Sequence, residues 1–224
     1  MDGCVNVASL SSNSSVLHRF QSAWSTLYND GPLRLGRELF NRIVTFETYV
    51  AFRLDLANEI APAAAEIPLS IRRATEGDFS EFRSLPYPLR RHAQLHDRYG
   101  LDECHLAFSQ GAIAHVAWVY YPHDLSKHPT PFRILRRDEA AIANCVTIRE
   151  FRGKGVYPAV IRALLEDLKQ QGYRYCYMYI EVRNTASVRG VSKLGFAPVG
   201  KSWRLRLFFH DDPAAGFYVR GRCR

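Results

Sequence analysis

The sequence predicts an α/β (α+β) fold: a mixed, mostly antiparallel central sheet with helices on both faces, preceded by an N-terminal helical extension. Three observations carry this. From about Leu69 onward, apolar runs and amphipathic runs follow one another in the order β-α-α-β-β-β-α-β-α-β-β. The run "YRYCYMYIEV" has tyrosines on one face and Cys176, Met178 and Ile180 on the other. A strand apolar on both faces belongs in the middle of a covered sheet. Finally, Val156, Val160, Leu164 and Leu168 recur every four residues, the stripe of a helix lying on such a sheet.

Residues 1 to about 15 are serine-rich and read as loose chain. Leu17, Phe20, Trp24 and Leu27 then fall at helical spacing, and "NDGP" is a turn. "LRLGRELFNRI" is a basic amphipathic helix, Leu35, Leu39 and Ile43 inward and Arg34, Arg37 and Arg42 outward. "FETYVAFRL" alternates as a strand. "ANEIAPAAAEIP" has the composition of a linker, so the expected division is an N-terminal extension over 1–65 and a globular domain over 66–224.

Beyond the linker, "LSIRRAT" is a strand, and "GDFSEFRSL" and "PLRRHAQLHDRYG" are helices. "ECHLAFSQGAIAHVAWVYY" is a hairpin turning at Gln110–Gly111, followed by the polar loop Pro122–Arg133. "AAIANCVTI" is a strand, Val156 opens the long helix, and Gly172 stops it. "TASVRGVSKL" is a short helix after Asn184, and "GFAPVGKSW" and "WRLRLFF" read as two closing strands.

Composition narrows the function classes. At 47% hydrophobic and 23% charged, the 224 residues suit a globular protein with a real core. A net charge of +8 favours anionic partners. The five cysteines are scattered without a CxxC pair, and no HExxH motif occurs. Neither a disulfide framework nor a metal site is therefore expected. No apolar run reaches the roughly 20 residues of a membrane span, and no signal-peptide pattern opens the chain. The expectation is a cytoplasmic protein that does not bind nucleic acid, since no nucleic-acid motif accompanies the charge.

The chemistry concentrates at "TIREFRGKGVYP", Thr147 to Pro158, between a strand and a helix. Arg152, Gly153, Lys154 and Gly155 stand just ahead of a helix N-terminus, whose free N–H groups attract anions. Glycines let a ligand come close to those groups, and Pro158 in the first turn sacrifices only an N–H that lacks a partner anyway. A pyrophosphate fits such a site. The loop is neither a nucleotide-triphosphate P-loop nor a dinucleotide fingerprint, because the partner positions of both motifs are missing.

This loop, followed by helix, strand and "NTASVRGVSKLGF", resembles the GNAT superfamily of acyl-CoA-dependent N-acetyltransferases, over about Leu69 to Phe209 in element order. Arg152 and Gly155 match the family's R/Q-x-x-G-x-G/A loop, while Tyr157 departs from its last position. Asn184, Ser187, Lys193, Leu194, Gly195 and Phe196 match its second signature.

The resemblance implies acetyl-CoA as co-substrate, with no metal. It implies donor contacts from Cys145, Val146, Thr147, Ile148, Arg149, Arg152, Gly153, Lys154, Gly155, Val156, Tyr157, Asn184, Ser187 and Lys193. The strands before the loop and after its helix would splay, the pantetheine arm lying along Cys145–Arg149. An amine would attack the acyl carbonyl, and the leaving thiolate would need a proton. The family's usual acid, seven positions after the asparagine, is Val191 here. Tyr179, with Tyr177 beside it, is a candidate acid, and Glu181 and Glu139 are candidate bases. Tyr87–Tyr99 and Tyr120–Arg133, rich in Arg, His and Tyr, would wall an anionic small-molecule amine, and a homodimer is expected. Two rival readings stand beside this one: an acyl carrier protein as donor, and a GNAT-like domain that binds coenzyme A or a partner without turnover.

Overall fold

The computed structural model describes residues 44–99, 103–122, 135–207 and 217–219. The two helices read before Val44 and most of the polar loop after Tyr121 lie outside these residues. Eight strands form one sheet in the order β2-β3-β4-β5-β6-β1-β7-β8. They are β1 Val44–Asp55, β2 Ser70–Arg73, β3 Cys104–Ser109, β4 Ala112–Tyr120, β5 Glu139–Thr147, β6 Tyr175–Glu181, β7 Ala197–Leu207 and β8 Phe217–Val219. The helices are α1 Glu76–Ser84, α2 Leu89–Tyr99, α3 Val156–Gln170 and α4 Thr185–Lys193, with a 3₁₀ turn at Arg149–Phe151. Every ladder is antiparallel except β5–β6. The mixed sheet with helices on both faces is therefore as the sequence predicts.

Two differences concern strands. The end of the chain read as two strands is one continuous β7, followed by the short β8. The strand "FETYVAFRL", assigned to the N-terminal extension, is an interior member of the sheet. Its Tyr49–Asp55 pairs with β6, and its Val44–Arg53 with β7. The stretch of linker-like composition after it packs against the sheet. Leu56 and Ile60 are buried, and Ala63, Ala65 and Ile67 pack on the core.

The sheet separates two apolar layers. On one face, α3 contributes Val156, Val160, Ile161, Leu164, Leu165 and Leu168, packing on Phe52, Leu54, Ile142, Cys176, Met178 and Ile180. On the other, α1 and α2 cover Trp118, Tyr120 and Tyr177 with Phe79, Phe82, Ala93 and Leu95. The period of two along β6 thus splits Cys176, Met178 and Ile180 from the tyrosines, as read from sequence. Helix α1 is held at its start by a capping box between Thr75 and Asp78. Asp78 also accepts two hydrogen bonds from the Arg72 guanidinium at 2.7 and 2.8 Å, which hold its carboxyl well below the usual carboxylate range.

Two histidines are buried in these layers. The His92 Nδ1 accepts from Trp118 Nε1 at 2.8 Å, and His115 Nδ1 lies 2.8 Å from Thr147 Oγ1. Burial pushes both rings down to about 3. An unfolded chain takes up protons at histidine near pH 6.5, which the folded chain declines. Stability attached to the neutral rings is thus fully present above about pH 6.5 and is lost as pH falls toward about 3, at roughly 1.4 kcal/mol per pH unit for each ring. Thermal melts are expected to show the melting temperature dropping steeply below pH 6.5. A profile flat down to about pH 4.5 would mean that the rings gain protons without unfolding.

Candidate functional site

The parallel β5–β6 ladder runs only from Glu139↔Tyr175 to Ile142↔Met178. Beyond it, no ladder pair joins Cys145–Thr147 to Tyr179–Glu181. The divergence begins at a bulge. Trp118 pairs with Ala143 and Val116 with Val146, so β5 carries one residue more than β4 there. Asn144, at φ 49°, is the bulged residue, and its side-chain amide donates to Tyr120 Oη at 2.6 Å. The bulge changes which residues face α3. Before it, Ala140 and Ile142 lie in the α3 layer; after it, Cys145 does. Thr147 follows two positions on, and both line a cleft.

That cleft has a volume of about 560 Å³ and opens between β5, the glycine loop, α3 and α4. Its floor is Cys145, Val146 and Thr147, and its rim is Phe151, Arg152, Gly153 and Gly155. Val156, Tyr157 and Pro158 come from α3, and Asn184, Ala186, Ser187 and Gly190 from α4. Within the described residues, the amides of Gly153, Lys154, Gly155, Val156 and Tyr157 donate to no backbone carbonyl; the first helical bond runs from Ala159 N to Gly155 O. These are the orphan donors of a helix N-terminus, gathered at the cleft.

The loop is braced from three sides. Arg152 Nε donates to Thr147 O at 3.0 Å. Glu66 N donates to Lys154 O at 2.9 Å. Gly155 caps α3 in the left-handed region, at φ 70°, and a Cβ placed there would lie 2.7 Å from Ala64 O. On the opposite wall, Asn184 caps α4 by accepting from Ser187 N at 3.2 Å.

Of the residues expected to contact the donor, Cys145, Val146, Thr147, Arg152, Gly153, Gly155, Val156, Tyr157, Asn184 and Ser187 are brought together in the cleft. Ile148, Arg149, Lys154 and Lys193 are not among its lining. Ile148 N donates to Ala114 O, and the Lys154 ammonium lies over the Phe151 ring. The expected catalytic residues do not line it either. Tyr179 packs with the α1–α2 layer, and Glu181 stands two residues on along the same strand, at its end. Glu139 sits at the closed end of the divergence, eight residues before Thr147, roughly 25 Å away along the strand. It is 2% exposed, and its carboxylate accepts from Tyr177 Oη at 3.1 Å and Arg136 N at 2.9 Å. Val191, at the family's usual acid position, is buried in the α3 layer.

Sequence reasoning missed Gly190. A glycine inside a helix weakens it, which is itself the signal of a close approach. Here the approaching group is Tyr157: a Cβ on Gly190 would lie 2.8 Å from the ring's Cε1. The tyrosine at the loop's departing position therefore takes its space from α4 rather than from the loop.

A membrane-crossing helix and a group of three or more metal-ligating side chains are both absent among the described residues. Residues 69–196 match the family model described as "Acetyltransferase (GNAT) family". A search of curated proteins returns no match. Among solved structures, the glucosamine N-acetyltransferase region of a fungal multi-domain GH3 β-N-acetylglucosaminidase superposes with a TM-score of 0.54 at 14% identity. The superposition covers 75% of this chain and 22% of that one. A GCN5-related N-acetyltransferase from Sphaerobacter thermophilus gives 0.50 at 14% identity, over 84% of this chain and 57% of that one. A GNAT-family protein from Novosphingobium aromaticivorans gives 0.51 at 19% identity, over 74% and 66%. The chain thus spans about a fifth to two thirds of the length of these neighbours.

Proposed function

From the premise that this chain belongs to the GNAT family of acetyltransferases, we propose that it transfers acetyl from acetyl-CoA to the primary amine of a small molecule within a ternary complex. The observation that carries the reading is the set of unpartnered amides from Gly153 to Tyr157 at the mouth of the cleft. Such donors suit the coenzyme's pyrophosphate, with Arg152 adding charge. The floor at Cys145–Thr147 and the α4 wall at Asn184 and Ser187 are where the pantetheine arm would lie.

The acceptor enters from the α1–α2 side of the open strands in this reading. There Tyr179 and Glu181 remain the candidates for drawing the proton from the attacking nitrogen. Arg90 and Arg91 on α2 would favour an amine that also carries an anionic group. The cleft is bordered in sequence by Arg149, Arg152, Lys154, Arg183, Arg189 and Lys193, and these cations also suit an acidic acyl carrier protein as donor.

Calorimetric titration with acetyl-CoA, a C8 acyl-CoA and an acylated carrier protein separates the two donors. Saturable binding of acetyl-CoA, abolished by Arg152→Ala together with Gly153→Asp, is the expected result. Binding of the acylated carrier alone would replace the donor, and heat from none of the three would leave a domain without turnover as the surviving reading.

A further inference from the structure

The thiolate leaving a thioester needs a proton, and Val191 cannot give one. Another acid is built into the cleft. Among its lining residues, only Cys145, Arg152 and Tyr157 bear a titratable proton. A guanidinium does not release its proton in a protein. The Cys145 thiol is directed at Ala143 O, 3.6 Å away within its own strand, and burial pushes it up to about 12.

Tyr157 is differently placed. It stands in the first turn of α3, next to the unpartnered amides, and its hydroxyl faces the Ser187 side chain on α4. Its ring lies 5.8 Å from the His115 ring on β4 and against the bare backbone of Gly190. The phenol therefore spans the cleft from α3 to α4 one residue before the sequence position of Val191.

Resting on the acetyl-CoA reading above, we infer that Tyr157 donates the proton to the leaving sulfur, delivered by α3 in place of a tyrosine on α4, and that Gly190 seats its ring. The acceptor nitrogen forms its bond to the thioester carbon. The carbon–sulfur bond then breaks with its electron pair going to sulfur, and the sulfur takes the phenolic proton. The phenolate is restored by the proton that the nitrogen loses, carried through water. The groups around the phenol are His115 from β4, which burial keeps neutral, Cys145 from β5 and Ser187 from α4. Burial in their midst raises the phenol above the ordinary tyrosine range, so the proton is in place at neutral pH.

The test compares wild type, Tyr157→Phe and a chain carrying 3,5-difluorotyrosine at position 157. Coenzyme A binding is read by calorimetry, and thiol release from acetyl-CoA is followed with ethylamine and with β-alanine as acceptors between about pH 6 and about pH 10. Tyr157→Phe is expected to bind coenzyme A within about threefold of wild type and to release thiol about a hundredfold more slowly. Wild type, whose phenol keeps its proton throughout, is expected to hold its rate to about pH 10, whereas the more acidic difluorotyrosine keeps turnover at neutral pH and loses it toward the alkaline end of the range. Wild-type turnover by Tyr157→Phe, or a difluorotyrosine profile identical to that of wild type, overturns the assignment and leaves the acetyl-CoA reading standing. Loss of coenzyme A binding in Tyr157→Phe overturns it too, by making the phenol part of the donor's wall. Absence of coenzyme A binding or of enzyme-dependent thiol release in the wild type overturns both.

Discussion

A Gly155→Val chain is expected to bind no measurable acetyl-CoA and to lose several kcal/mol of stability. Two costs add at this residue. Its φ of 70° is one that a β-branched side chain adopts only with strain of order 1–3 kcal/mol. Its Cβ would also lie 2.7 Å from Ala64 O and 3.3 Å from Ala65 Cα. Both are backbone atoms of a segment pinned by Glu66 N donating to Lys154 O, so neither can swing aside as a side chain would. Relief requires the loop to leave its brace, which scatters the orphan amides. Gly153→Ala is the control. Position 153 also has a positive φ, 79°, but its Cβ would meet nothing within 4 Å. That chain should lose only about 1 kcal/mol and keep a folded loop. Thermal melts and calorimetry on the pair decide the matter: equal behaviour of the two would remove the Ala64 contact from the account.

The second large effect concerns the start of the sheet. A chain beginning at residue 66, where composition suggests a domain edge, is expected not to fold. Removing β1 takes out the strand between β6 and β7 and with it the attachment of β7 and β8. Phe52, Leu54, Leu56 and Ile60 leave the α3 layer as well. At about 1.5–3 kcal/mol for each such side chain, the loss is of order 6–12 kcal/mol, which rivals the whole net stability of a domain. A chain beginning at residue 44 keeps all of these and should melt cooperatively. Circular dichroism of both fragments is the measurement, and a cooperative melt from the shorter one would restore residue 65 as a domain edge.

Much of this was legible before any coordinates. The four-residue stripe of α3, the two faces of β6 and the hairpin turn at Gln110–Gly111 are local patterns, and local patterns survive in sequence. The glycine loop was legible for the same reason. What escaped reading depends on distant residues. The partners of β1 lie more than a hundred positions away, so its alternation announces a strand but not an address. Glu139 reads as a candidate base because Tyr177, its hydrogen-bond donor, lies on another strand. The bulge at Asn144, which turns Cys145 toward α3, has no marker beyond an asparagine tolerant of positive φ.

The placement of β1 also sets the order in which the molecule can be made. Asp55 leaves the ribosome 120 residues before its partner Tyr175, and Thr45 waits longer still for Arg206. At about 5–20 residues per second, synthesis holds this strand without its neighbours for roughly 6–24 s or more. A twelve-residue strand with both edges bare is a template for pairing with other nascent chains. The middle of the sheet therefore closes only after β6 and β7 have been made, and until then this strand needs guarding.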